Sequence, residues 1–516
     1  MRKAFDQEPR LDRCNVADVE FDLESRDEIV PILKALQHVC LTPSLRDAVL
    51  DRVAGDVFQD VRDDIGREGM DLWHLLVLGT LRLGCNFDYD RLADLATNHR
   101  TVRGVMGLGE WDGTRFTWRR VRDNVCLLSP ETISRISDLI VAAGEELSPG
   151  ASHRVRADSF VVETNIHYPT ESRLIEDGIR TVMSVCVDLA DAFELSGWRQ
   201  HGHLFQQIRR QARDIGRIAS KKGPGYQKRL KTGYRKLLKR SGIILEKARE
   251  LITAVLGQND VDIEKHLQLS TLQTFIDRTE QVRSTARRRV LEGETVPNND
   301  KLFSIFEAHT QLYRRGKTAE PNQFGRLVLV FENSAGFLVH HHVPPRDVGD
   351  ADMVVEQTRA HAGRVSCGPV SAFGAETRFR RRKNHQPLVA LQKKLGGVVA
   401  ELSLDRGFHS PENQTELSQL VPHLCLPKPG AKQAASQDSA ESEIFYESKR
   451  RHSGVESAIG ALQSGNGQER CRDRTEPGFE RYVALGILGR NLHVLGRLLI
   501  ARENAACEAA RTRRAA

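Results

Sequence analysis

This chain of 516 residues has little of what staples or anchors a protein. Its nine cysteines, from Cys14 to Cys507, are scattered, odd in number and never spaced CxxC, which argues against both a disulfide framework and a zinc site. The most apolar stretch, LWHLLVLGTLRLG from Leu72 to Gly84, is interrupted by Arg82 and is too short to cross a bilayer. The N-terminal MRKAFDQEPRLDR carries no apolar signal-peptide core. A phosphate-cradling glycine loop is missing too. Gly316-Lys317-Thr318 mimics its end, but the glycine it requires is Gln311, and Tyr313-Arg314-Arg315 is too bulky. The expectation is a cytoplasmic protein with no membrane partner.

What is present is an ordinary globular balance, with 40% apolar and 28% charged residues. The length exceeds one simple core, so two or three domains are expected. The net charge of +7 is modest but unevenly spread. Thirteen basic residues between Arg209 and Arg240 face one acid, Asp214, a local +12. Such a block repels itself unless a polyanion neutralises it, and nucleic acid is the usual partner.

Residues 1 to 150 read as a helical region. Leu72, Leu75, Leu76, Leu78 and Leu81 recur at helical spacing, and Ser129-Pro130-Glu131 is a good helix start. Two short helices around Asn98-His99 suit either a helix-turn-helix or a small bundle. After Ser148-Pro149-Gly150, HRVRADSFVVETN alternates and is rich in β-branched residues, so it predicts a strand with Asp158 near its end. A basic helical insertion is expected over about 191–300. GRLVLVFEN and AGFLVHHHVPP predict a hairpin, Pro387 to Leu395 a helix, GGVVAELSLDRG a strand carrying Asp405, and LVPHLCLPKPG another short strand. Gly430 to Glu443 reads as a polar loop. EIFYESKRRHSGVESAIGALQ reads as one helix bearing Glu456, followed by a long C-terminal helix and a frayed tail over 503–516.

Asp158, Asp405 and Glu456 stand out jointly rather than singly. Each alone is an unremarkable cap, turn or surface acid. Two acids at strand ends and a third on a later helix suit a site for two Mg²⁺ ions, with Mn²⁺ able to substitute, because carboxylate oxygens are the hard ligands Mg²⁺ prefers. Two such ions, roughly 3.5–4 Å apart, stabilise the attacking and leaving oxygens of a phosphoryl transfer. His167, Tyr168 and His409 are possible further contacts, though local hydrogen bonding is the commoner fate of each histidine. Trp118 and Trp198 could stack on a flipped base, yet core packing is the safer reading of both.

The segments DSFVVETNIHYPTES, SIFEAHTQLYRRGKTAEPNQFG, DRGFHSPENQ and RRHSGVESAIGALQSGNGQERCRD resemble bacterial insertion-sequence transposases with a DDE active site, of the ISNCY group within the IS-four-like superfamily. The resemblance runs through nearly the whole chain. It implies an α/β fold: a ribonuclease-H-like catalytic domain over 151–502 with a large helical insertion, preceded by an all-α N-terminal DNA-binding region over 1–150. It also implies Asp158, Asp405 and Glu456 as catalytic and metal-holding residues. The implied partners are double-stranded DNA, as terminal inverted repeats and target, and a second copy in a synaptic complex of a nucleoid-associated enzyme. Expected DNA contacts are Arg406, Arg450 and Arg451 beside the acids, and Arg209, Arg210, Lys221, Lys222, Lys228, Arg229, Arg235 and Lys236 in the basic block. One departure concerns the Tyr-x2-Arg-x3-Glu-x6-Lys pattern of many relatives, whose flanking positions here hold Lys449, His452 and Gln463. Arg450 and Arg451 could supply the charge on a slipped register.

Overall fold

Side-chain caps open many of the helices in the computed structural model, which describes residues 4–5, 12–58, 69–258, 262–314, 321–367, 399–428 and 439–515. The helix expected from Pro387 to Leu395, the stretch 316–318 and most of the polar loop expected from Gly430 lie outside the described residues. Among the described residues the first seven α-helices are α1 (Ile29–Leu41), α2 (Pro43–Val57), α3 (Leu72–Gly84), α4 (Tyr89–Asn98), α5 (Arg100–Val105), α6 (Trp118–Val125) and α7 (Pro130–Leu147). Ser129 accepts from the Thr132 N–H and Pro130 holds the first turn of α7, the start its sequence signals. Asp88, His99 and Thr117 cap α4, α5 and α6 in the same way.

Strand β1 (Arg154–Thr164) follows, then the helices α8 (Glu171–Ala192), α9 (His201–Lys221), α10 (Tyr226–Leu256) and α11 (Ile263–Ala286). Strands β2 (Gln311–Tyr313), β3 (Gln323–Asn333) and β4 (Leu338–His342) lead to α12 (Asp350–Cys367). The rest runs β5 (Glu401–Leu404), α13 (Pro411–Leu420), β6 (His423–Cys425), α14 (Ser439–His452), α15 (Gly454–Ser464), β7 (Arg470–Cys471) and α16 (Glu476–Ala515). The protein is thus mostly helical around one mixed sheet, an α/β fold. The strand order is β2-β3-β1-β5-β6, with β4 also on β3 and β7 on β1. β1, β5 and β6 run parallel, while β3 and β4 form the antiparallel hairpin expected from sequence.

The chain divides into two compact units, Met1–Glu163 with Leu327–Ala516, and Thr164–Arg326. This division differs from a break at residue 150, because the N-terminal helices share a core with the later segments of the chain. In that first unit α16 packs on α1, α3 and α7. Glycines permit the approach. A Cβ on Gly489 would overlap the backbone of Gly84, and one on Gly496 would overlap the carbonyl of Pro31. α3 is buried along its whole length. Its Arg82 is neutralised by Asp473 and lies 4.2 Å over the Tyr89 ring. α16 is long and apolar enough to cross a membrane by length and composition, but 67% of its most apolar window is buried in the structure, as in a core helix. It continues as an exposed helix through the segment expected to fray. The second unit has its own core, in which Ile179, Val182, Leu237, Leu245, Leu272 and Ile276 are nearly or fully buried.

Candidate active site

Two departures from the sequence expectation define the geometry of the acids. Asp158 does not end its strand, since β1 continues to Thr164. It stands instead where the pairing of β1 with β5 stops. The register runs from Arg154↔Glu401 to Ala157↔Leu404, so the next residues along are Asp158 and Asp405. Neighbouring strands lie about 4.8 Å apart, and residues in register on parallel strands point to the same face. Asp405, with extended backbone just past β5, is exposed; Asp158 is half-buried. The crevice outside the carboxyl ends of parallel strands is the ordinary place for a site in an α/β sheet.

Which face they share follows from their neighbours two residues back. Arg156 Nε donates to Glu332 at 2.6 Å, and its terminal nitrogen donates to the Arg451 carbonyl at 2.8 Å. The Ser403 hydroxyl lies 3.2 Å from His452 Nδ1. Arg154, Arg156 and Asp158 therefore share a face with Glu401, Ser403 and Asp405, and the end of α14 covers it.

The second departure lies in that helix. The segment expected as one helix is two, broken at Ser453 between α14 and α15. Glu456 sits exposed in the first turn of α15. His452 reports where that turn lies. Burial pushes its imidazole below the ordinary range, against the pull of Asp405 and Glu456 and with the push of Arg156. Asp158 and Asp405 thus stand at one end of the β1–β5 pair, and Asp405 and Glu456 both act on His452. Among the described residues, no three His, Cys, Asp or Glu side chains are gathered closely enough to hold a metal ion. Like charges at such an edge repel until a cation offsets them.

The basic side chains beside the acids differ in availability. Arg451 is engaged by Glu447 and lies 3.9 Å from Glu401. Arg406 and Arg450 are exposed and form no ion pair among the described residues. His409 is half-buried, with an Nε2 lacking a hydrogen-bond partner. His167 lies 3.5 Å from Asp177, and Tyr168 packs edge-on against Phe324. Trp198 is buried as expected, but Trp118 is 36% exposed, with Arg119 and Arg122 over its ring. α6 is too short and too arginine-rich to bury an indole at its first position, and amphipathic spacing alone does not reveal that.

In the second unit the basic block forms the facing ends of α9 and α10, joined by a turn in which Lys222 and Gly225 adopt positive φ. Ile208, Ala212, Ile215, Tyr234, Leu237 and Leu238 take the buried stripe. Arg209, Arg210, Lys221, Lys222, Lys228, Arg229, Arg235 and Lys236 are all exposed. Arg209 lies 3.8 Å from Glu176, whereas the other seven form no ion pair among the described residues. The helical fold concentrates these charges instead of dispersing them.

No family model, curated protein or solved structure matches this chain.

Proposed function

We propose that this protein is a DDE-type DNA transposase that hydrolyses a phosphodiester at the ends of an insertion sequence and then joins the freed 3′-hydroxyl to target DNA. The observation that carries the reading is the position of Asp158 and Asp405 just past the last registered pair of two adjacent parallel strands. A ribonuclease-H-like identity of the sheet belongs to the same proposal. It is supported by the parallel β1–β5 pair that bears the two aspartates.

Asp158, Asp405 and Glu456 offer the hard oxygen donors that Mg²⁺ or Mn²⁺ prefers, although in this structure they are not gathered closely enough to hold an ion. Ions held by these residues would supply a more acidic water and neutralise charge on the transferring phosphoryl group. The chain's own contribution is positioning. Arg406 and Arg450, exposed beside the acids, engage the DNA backbone as charge-assisted donors. The α9–α10 hairpin tracks phosphates without reading sequence. Two DNA ends held together call for at least two copies of the chain.

The test is a reaction of purified protein with labelled candidate end DNA and Mg²⁺ or Mn²⁺, beside the Glu456→Gln variant. Nicked and joined products from wild type alone support the transposase. Binding without cleavage by either protein would move the assignment to a DNA-binding repressor.

A further inference from the structure

We propose that α6 and the loop before it form a docking surface for single-stranded nucleic acid, where Trp111 and Trp118 stack on unpaired bases and the neighbouring arginines meet phosphates. The inference goes beyond the transposase reading, which gives these residues no role, and it stands on its own observations. The chain has four tryptophans. Trp73 and Trp198 are buried, whereas Trp111 is 84% exposed and Trp118 is 36% exposed, only seven residues apart. An indole is a large apolar surface to leave in water, and such side chains are enriched where a partner covers them.

The two short helices around Asn98-His99 offer no comparable surface. Val102, Gly104 and Val105 of α5 are buried, and Arg103 is held by Asp112 and by the carbonyls of Ala96, Thr97 and Thr114. Arg100 is engaged by Glu110. α6 is the opposite case. It packs on α3 and α4, and Val121, Asn124 and Val125 are its buried side. Trp118, Arg119, Arg120, Arg122 and Asp123 are exposed, and so is Arg115, three residues before the helix. Arg122 is engaged by Asp123, while Arg115, Arg119 and Arg120 form no ion pair among the described residues. An anionic partner is therefore favoured over an acid-free one.

The aromatic groups decide which anion. The Arg119 and Arg122 guanidinium carbons lie 5.1 and 5.2 Å from the Trp118 ring centre. Indole faces and guanidinium planes are the surfaces on which unpaired bases stack, without regard to sequence. An intact duplex has little use for them, because its bases already stack on one another and its grooves are read by hydrogen bonds. The basic α9–α10 hairpin differs in this respect. Among the described residues, none of the large apolar side chains left exposed falls between Arg209 and Arg240, so that hairpin offers charge without a stacking platform.

The experiment uses the full chain and a labelled oligothymidine of about 16 nucleotides, beside a duplex of the same length. The variants are Trp111→Ala, Trp118→Ala, Trp118→Phe and the pair Arg119→Ala with Arg120→Ala. Each tryptophan-to-alanine change is expected to weaken oligothymidine binding about 5- to 150-fold, the scale for loss of one stacked base, and to leave duplex binding unchanged. Its salt dependence should stay as in wild type, because stacking releases no counterions. Trp118→Phe should keep most of the affinity. The arginine pair should flatten the salt slope by roughly 0.7 for each phosphate no longer neutralised. Oligothymidine should also quench the intrinsic tryptophan fluorescence of wild type, and less so that of either alanine variant. Unchanged oligothymidine affinity and quenching in both alanine variants would overturn the proposal, and so would an equal loss on duplex. Cleavage of end DNA by wild type bears on the transposase reading alone: tryptophan-dependent binding of oligothymidine supports the docking surface whether or not the protein cuts.

Discussion

The acid edge of the sheet and the basic hairpin of the second unit are built in opposite ways. The acids come from three segments far apart in sequence, two of them on adjacent parallel strands and the third on the helix that follows α14. The cations come from one continuous stretch, displayed by two helices whose apolar stripes face their own core. A site of the first kind is sensitive to small shifts, because metal chemistry needs ligands placed within tenths of an ångström. A surface of the second kind tolerates change, because each phosphate contact adds a modest, salt-screened increment. One region is suited to carry chemistry and the other to carry affinity.

The sharpest way to break this comparison is to neutralise single acids. Asp158→Asn, Asp405→Asn and Glu456→Gln should each reduce cleavage by on the order of 10³-fold or more, the scale seen when one member of a catalytic unit is removed. Binding to end DNA should persist in a gel-shift assay without metal. An acid whose neutralisation leaves cleavage normal would have to leave the site.

Next in size is removal of charge from the hairpin. Replacing Lys221, Lys222, Lys228 and Arg229 together by alanine should flatten the dependence of log affinity on log salt, by roughly 0.9 for every phosphate that is no longer neutralised. The maximal cleavage rate at saturating DNA should be nearly unchanged. An unaltered salt slope would show that the hairpin is only a solvated surface.

The scaffold beneath the acids should be more fragile than the hairpin. Gly496→Ala forces a methyl group into the Pro31 carbonyl and should cost about 1–3 kcal/mol in urea unfolding, as overpacking does. Gly216→Ala on α9, where a Cβ meets open space, should cost nothing and could stabilise the helix slightly.

The smallest expected effect is a pH dependence centred on α16. Burial, then the nearby Arg490 and Arg497, push His493 down to about 4 from its ordinary 6.5. The unfolded chain therefore takes up the proton first as pH falls. The stabilising contribution is complete above about 6.5 and is lost as pH drops toward 4. His493→Gln should flatten that part of the stability profile in thermal melts between pH 4 and 7. An unchanged profile would place the histidine in water.

Much of the fold is legible in the sequence. The β1 and β5 strands show in their apolar alternation, the α7 start in Ser129-Pro130, and the β3–β4 hairpin in two strand-like runs around Asn333. The candidate acids are visible as well, since their local words stand apart from the helical background. The break at Ser453 is not, because SKRRHSGVESAIG has good helical spacing and the contacts at the junction, Arg156 with the Arg451 carbonyl and Ser403 with His452, come from distant strands. Trp118 escapes the sequence for a related reason, as exposure of an aromatic depends on whether another element covers it. The shared core of the N-terminal helices and the last helix likewise depends on glycines that matter only when the segments meet.

Sequence by itself determined the local choices: which segments are helices or strands, where many of them start, and that one segment carries a large excess of positive charge. These follow from propensity, periodicity and capping, which act over a few residues. Only the tertiary structure decided that Asp158 and Asp405 stand just past the last registered pair of β1 and β5, and that Arg156 reaches across to a carbonyl on α14. Such relations are contacts between residues remote in the chain, and no short-range rule encodes the packing that brings them together.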